Sequence, residues 1–96
     1  MYQQNFFENK SRAEIEKKIR EDGFEPILFS HGPGYRYEAH QHITEKLLVF
    51  LEGSMKVRAG DKTYECRTGD KLLIPSSVEH EATVGPAGCI FFWSER

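Results

Sequence analysis

The chain has 96 residues, 39% of them hydrophobic, with 13 Lys and Arg against 15 Asp and Glu and a formal net charge of −2. That length suits one domain and leaves no room for a second core. Near-balanced charge argues against a nucleic-acid or membrane-surface partner, either of which wants a basic face, and no run approaches the length of a transmembrane helix.

Residues 1–10, MYQQNFFENK, lack the apolar centre of a signal peptide, so a cytoplasmic location is the default expectation. They read as an arm whose Tyr2, Phe6 and Phe7 need cover from the body of the protein or from a second subunit. A helix is expected over residues 11–23. Ser11 with Glu14 three residues later is a capping-box pattern, and Gly23 suits the position just past the helix. Ile15 and Ile19, four apart, give it one narrow apolar stripe for docking.

From Phe24 the period becomes strand-like. Strands are expected at 26–30, 35–42, 46–52, 54–60, 62–67, 72–75, 79–84 and 89–93. Gly and Pro turns separate them at 31–34, 60–61, 67–70 and 85–88. Many short strands with such punctuation indicate an all-β sandwich or barrel. In the last strand Phe91 and Trp93 share one face and Phe92 takes the other, which suits burial on both sides. Cys66 and Cys89 lie far apart and outside any C-x-x-C pattern, so both are expected as buried free thiols. His31, beside a turn, is expected to be a solvent-facing loop histidine.

The residues that carry chemistry are His40 and His42, one residue apart, and His80 in a second segment. In an extended strand, side chains at i and i+2 share a face, so one strand aims both imidazoles at one point. Neutral imidazole is the commonest metal ligand among side chains. By the same parity Lys46, Leu48 and Phe50 share the histidines' face. Glu45 is out of phase with them and turns inward only if a bulge intervenes.

Gly34, His40, His42 and Gly53 fall on the spacing G-x5-H-x-H-x3,4-E-x6-G, and Gly69, Pro75 and His80 on G-x5-P-x-G-x2-H-x3-N. These are the two motifs of the cupin superfamily, which the chain resembles over roughly residues 27–93. The resemblance implies a small double-stranded β-helix barrel (a jelly roll) over 27–96, preceded by an arm and one α-helix over 1–26. It implies a divalent metal, Fe, Mn, Ni or Zn, held by His40, His42 and His80, and a homodimer. The chain departs from the motifs at three places: Lys46 replaces the metal-binding glutamate, Ser77 a glycine and Val84 an asparagine.

Lys46 is the sharpest departure. An ammonium ~5 Å from a divalent ion, at an effective dielectric of about 20, costs several kcal/mol unless it turns away or loses its proton. Three readings follow. In the first, the barrel binds a metal and a small organic anion, with dioxygenase, isomerase or lyase chemistry. Lys46 then neutralises a substrate carboxylate, Phe50 and Glu45 line the pocket, and Glu38 or Glu45 carries a proton. In the second, Lys46 replaces the ion's charge in a metal-free binding module. In the third, the site is vestigial in a structural or sensory dimer, its mouth plugged by Phe7 or Phe24.

Overall fold

A computed structural model describes residues 2–96. In chain order the elements are β1 (Tyr2–Gln3), α1 (Arg12–Glu21), β2 (Leu28–His31), β3 (Arg36–His40), β4 (Lys46–Ala59), β5 (Lys62–Arg67), β6 (Lys71–Ile74) and β7 (His80–Glu95). Every strand pairing is antiparallel. The chain is all-β with one helix, as the turn spacing indicates.

Two long strands organise the rest. The expected pairs of strands at 46–52 with 54–60, and at 79–84 with 89–93, are each one continuous strand, and GPAG at 85–88 lies inside β7. The first part of β4 pairs with β6 and the second with β5, while the two ends of β7 take β3 and β2. Two layers result, β1-β6-β4-β7-β2 and β5-β4-β7-β3, joined by strands common to both. The turn of each long strand between layers is a bulge, with register shifts between Phe50 and Glu52 and between Gly53 and Met55. Gly53 has φ +79°, and a Cβ there would lie 2.0 Å from the carbonyl oxygen of Gly88. Only glycine permits that approach. The glycines that read as turn signals here mark bent strands.

Side-chain alternation divides the apolar residues between two cores. Leu48, Phe50, Met55, Val57, Leu72, Ile74, Val84 and Phe91 fill the space between the layers, together with both cysteines. Leu47, Val49 and Phe92 point outward and are covered by Phe7, Ile15, Ile19 and Phe24. This is why Leu47–Phe50 is continuously apolar: β4 is buried on both faces. Ser11 caps α1 as expected, its Oγ accepting from the Glu14 N–H at 3.1 Å while Glu14 Oε1 accepts from the Ser11 N–H at 2.8 Å. Phe7 and Phe24 thus lie beneath the helix on the outer face, and neither plugs the barrel interior.

The arm closes one side of the sandwich. Tyr2 pairs with Leu72 of β6, its ring lies 5.3 Å from that of Tyr64 on β5, and its hydroxyl donates to buried Asp70 at 2.6 Å. Asp70 also accepts from the N–H groups of Asn5 and Arg67, at 2.9 and 2.8 Å. Those bonds compensate burial of a carboxylate, which otherwise costs several kcal/mol. On the opposite side β2 and β3 each pair with β7 and not with each other, so that side has no ladder to close it.

Candidate metal centre

Three imidazoles converge at one end of the sandwich. The potential ligand atoms of His40, His42 and His80 all lie within 4.8 Å of one another. His80 opens β7 and is 2% exposed; His40 closes β3 directly opposite it in register. His42 lies past the end of β3, so the strand expected to span 35–42 carries only the first of the pair. The Ser77 N–H fixes that loop by donating to the His42 carbonyl at 2.7 Å. Ser77 stands where the motif has glycine and keeps a left-handed φ of +64°, so the turn survives the substitution.

Parity along β3 is reset by a bulge. Tyr37 opposes Ala82 and His40 opposes His80, with a register shift between Tyr37 and His40. Residues three apart ordinarily face opposite sides of a strand. The extra residue puts Tyr37 and His40 both inside, which spacing alone does not reveal.

Two of the rings, His40 and His80, are held in a defined tautomer. The Nδ1–H of His40 donates to the Glu38 carbonyl, and that of His80 to the Val78 carbonyl at 3.1 Å. A carbonyl only accepts, so each ring presents an Nε2 lone pair, the orientation that metal-ligating histidines take from their outer partners. The Nε2 atoms of His42 and His80 are buried without a hydrogen-bond partner. Burial, then the charge of Lys46 and the neighbouring His40, hold the His42 imidazole below its ordinary value, with Glu95 opposing. Burial does the same for His80 against the pull of the Val78 carbonyl, aided by His40, His42 and Lys46. Both rings are therefore neutral at neutral pH, the form that ligates metal. With metal–nitrogen bonds of about 2.1 Å, three ligands to one ion sit about 3–3.4 Å apart, so an ion bound here would draw together ligand atoms that now lie within 4.8 Å of one another.

The remaining candidates have other partners. Lys46 is buried, at 5% exposure. Its ammonium donates to Glu95 and lies 5.9 Å from the centre of the Trp93 ring. Glu95 also accepts from the Thr44 hydroxyl at 2.8 Å. Glu45 stays out of the cluster, its Oε1 accepting from Arg96 Nη2 at 2.7 Å and Nε at 3.0 Å. Glu38 is exposed. Phe50 lies in the interior core with its ring 6.1 Å from that of Phe91. Among the described residues the three histidines alone form a group with metal-ligand spacing.

His31 corrects its expectation. It ends β2, is half-buried, and shares a 2.6 Å hydrogen bond between its Nε2 and the Tyr37 hydroxyl. Its isolation in sequence concealed this, because Tyr37 meets it only across the unpaired side of the sandwich. Cys66 and Cys89 are free and buried, as expected.

A two-layered jelly roll with an imidazole cluster at one end defines a small cupin barrel. The chain belongs to the family of AraC-like ligand binding domains, whose sequence model matches residues 27–94. In structure it is similar to an RmlC-like cupin from Shewanella frigidimarina, with a TM-score of 0.69 and 21% identity over 75% of this chain and 64% of that one. A cupin superfamily protein from Desulfitobacterium hafniense gives a TM-score of 0.68 and 18% identity over 75% and 65%. An oxalate decarboxylase from B. subtilis gives 0.70 and 21% over 75% of this chain and 20% of that one. The chain spans a little under two thirds of the length of the first two, and at these identities the likeness establishes the fold. No curated protein matches the sequence. Among the described residues no helix is long and apolar enough to cross a membrane.

Proposed function

We propose that this chain is a metal-dependent cupin that binds a small organic anion at an ion held by His40, His42 and His80. The observation that carries the reading is the pair of buried Nε2 atoms on His42 and His80 that lack any partner. A buried polar atom left unsatisfied costs about 1–3 kcal/mol, and an ion shared with His40 satisfies both at once.

The neutralisation of Lys46 supports this reading over metal-free capture of an anion. Metal-free capture needs a free cation at the glutamate position. Here the ammonium is already engaged by Glu95, so the charge that would repel an ion is compensated from within the chain. The same pairing leaves three histidines as ligands, with further positions open to a substrate. A bound ion supplies Lewis-acid activation of a ligand oxygen there. The chain's own contribution is to orient the His40 and His80 rings through the Glu38 and Val78 carbonyls and to hold the His42 loop through the Ser77 N–H. The activity that fits is of the dioxygenase, isomerase or lyase type on a small organic acid.

Elemental mass spectrometry of tag-free protein tests the reading, with the His40→Ala/His42→Ala double variant as control. Near-stoichiometric Fe, Mn, Ni or Zn that disappears in the variant is the expected result. Protein that neither contains nor takes up any of these ions would overturn it.

A further inference from the structure

An unbroken file of rings runs from the imidazole cluster to the surface, along the side where β2 and β3 pair with β7 and not with each other. The Trp93 ring lies 6.0 Å from that of His80 and stacks on Tyr37 at 5.5 Å and 21°. Tyr37 meets Tyr35 edge to face at 5.3 Å, and Tyr35 is 46% exposed. His31 touches both tyrosines. It lies flat against Tyr35 at 3.8 Å and 4°, and its Nε2 is 2.6 Å from the Tyr37 hydroxyl. Indole and phenol are the aromatic side chains that give up an electron most readily, and here they stand in direct contact.

We propose that Trp93 and Tyr37 form a relay that carries oxidising equivalents away from the imidazole cluster, with His31 as the proton acceptor. The relay goes beyond the proposed function and rests on the metal only for the source of those equivalents. Loss of an electron turns a phenol into a strong acid, so a tyrosine holds the resulting hole only where a base takes its proton. His31 Nε2 stands within the reach required of a general base. Among the described residues this bond is the only one the Tyr37 hydroxyl makes. The hydroxyl therefore donates and Nε2 accepts, since the reverse would leave the half-buried phenolic hydrogen unpaired. The imidazolium so formed lies on the face of Tyr35, where the ring quadrupole favours a cation. Cys89, also close to Tyr37, has no such base, and burial pushes its thiol up to about 11.

One electron passes from Tyr37 to the oxidised indole of Trp93, restoring it, while the phenolic proton passes to His31 Nε2. An indole that has shed its N–H proton to water regains one in the same step. The products are a neutral phenoxyl radical and an imidazolium. A soluble thiolate meeting the exposed Tyr35 edge returns the electron and leaves as a thiyl radical, and His31 returns the proton. The relay thereby spares the three ligand imidazoles from oxidation.

Pulse radiolysis of the metal-free full chain starts the relay at Trp93, the sole tryptophan, without need of the ion. The azide radical takes one electron from the indole and becomes azide. Optical absorption then follows the indolyl radical as it decays and the phenoxyl radical as it forms. The expected result is one shared rate for decay and growth, independent of protein concentration. Tyr37→Phe should slow that rate at least tenfold, and His31→Phe, which keeps a ring but no base, at least threefold. Tyr64→Phe, beside Tyr2 on β5, should leave it unchanged. Should Tyr37→Phe lose the native circular dichroism spectrum, His31→Phe decides alone. An indolyl radical that persists in the native chain, or that decays to phenoxyl as fast in these two variants, would overturn the inference and leave the metal reading untouched.

Discussion

Lys46 and Glu95 are directly opposed in the β4–β7 register and form an ion pair at the end of the sandwich where the imidazoles meet. The lysine is nearly fully buried while the carboxylate is 56% exposed. The pair therefore neutralises a buried charge from a group that stays in water. A position whose motif identity is a metal-binding acid carries a cation, and that cation's partner is supplied 49 residues later in the chain.

Glu95→Gln should weaken Zn2+ binding at least tenfold, because it leaves an uncompensated ammonium near the imidazoles. Each tenfold corresponds to about 1.4 kcal/mol. Lys46→Gln, which removes both the need for the partner and the repulsion, should bind Zn2+ at least as tightly as the native chain. Competition titration against a chelating dye measures both. Equal affinity in Glu95→Gln and the native protein would exclude the compensating role.

The same pair gives a pH dependence with a defined sign. Hydrogen bonds from Lys46 and Thr44, then the charge of Lys46, hold the Glu95 carboxyl below its ordinary value of 4.5. A carboxyl lowered in the folded state contributes stability that is fully present above the unfolded value and is lost as pH falls through the folded one. The difference in urea midpoint between native protein and Glu95→Gln should therefore be constant above about pH 5.5 and shrink as the pH falls below 4.5. A difference that does not shrink at all as the pH falls below 4.5 would show that the carboxylate's charge contributes nothing.

Gly53→Ala should be among the most damaging single substitutions. The left-handed φ alone costs a non-glycine residue about 1–2 kcal/mol, and the new methyl group meets the Gly88 carbonyl oxygen at 2.0 Å. A loss of at least 3 kcal/mol, in the range of severe backbone effects, is expected in urea denaturation followed by circular dichroism. Gly32→Ala is the control. It has open space for a Cβ, and its change should stay within about 0.5 kcal/mol.

Both cysteines should resist alkylation in the folded protein. Burial, with the nearby Asp70 charge, pushes the Cys66 thiol up to about 12, and burial pushes Cys89 up to about 11. The reactive species is the thiolate, so iodoacetamide at pH 8 should label neither in native buffer and both in 6 M urea. Rapid native labelling of either would contradict its place in the core.

Local chemistry made much of this protein legible in its sequence. The capping box at Ser11 and Glu14 and the opposite faces of Phe91 and Phe92 are near-neighbour properties, and each has the expected form. The motif spacing pointed to His40, His42 and His80, and the fold brings them within 4.8 Å. Tertiary structure decided what depends on contacts between distant segments. Gly53 and the 85–88 stretch carry turn chemistry, yet β4 and β7 bend there without breaking, because each is held through the bend by the other. One added residue between Tyr37 and His40 reverses strand parity, and only the register with β7 reveals it. The pairing of Lys46 with Glu95 and of His31 with Tyr37 likewise follows from which strands lie side by side. Composition and periodicity specify which residues prefer burial and which backbone they favour; the choice of partner for a buried charge or ring is fixed only when the layers close.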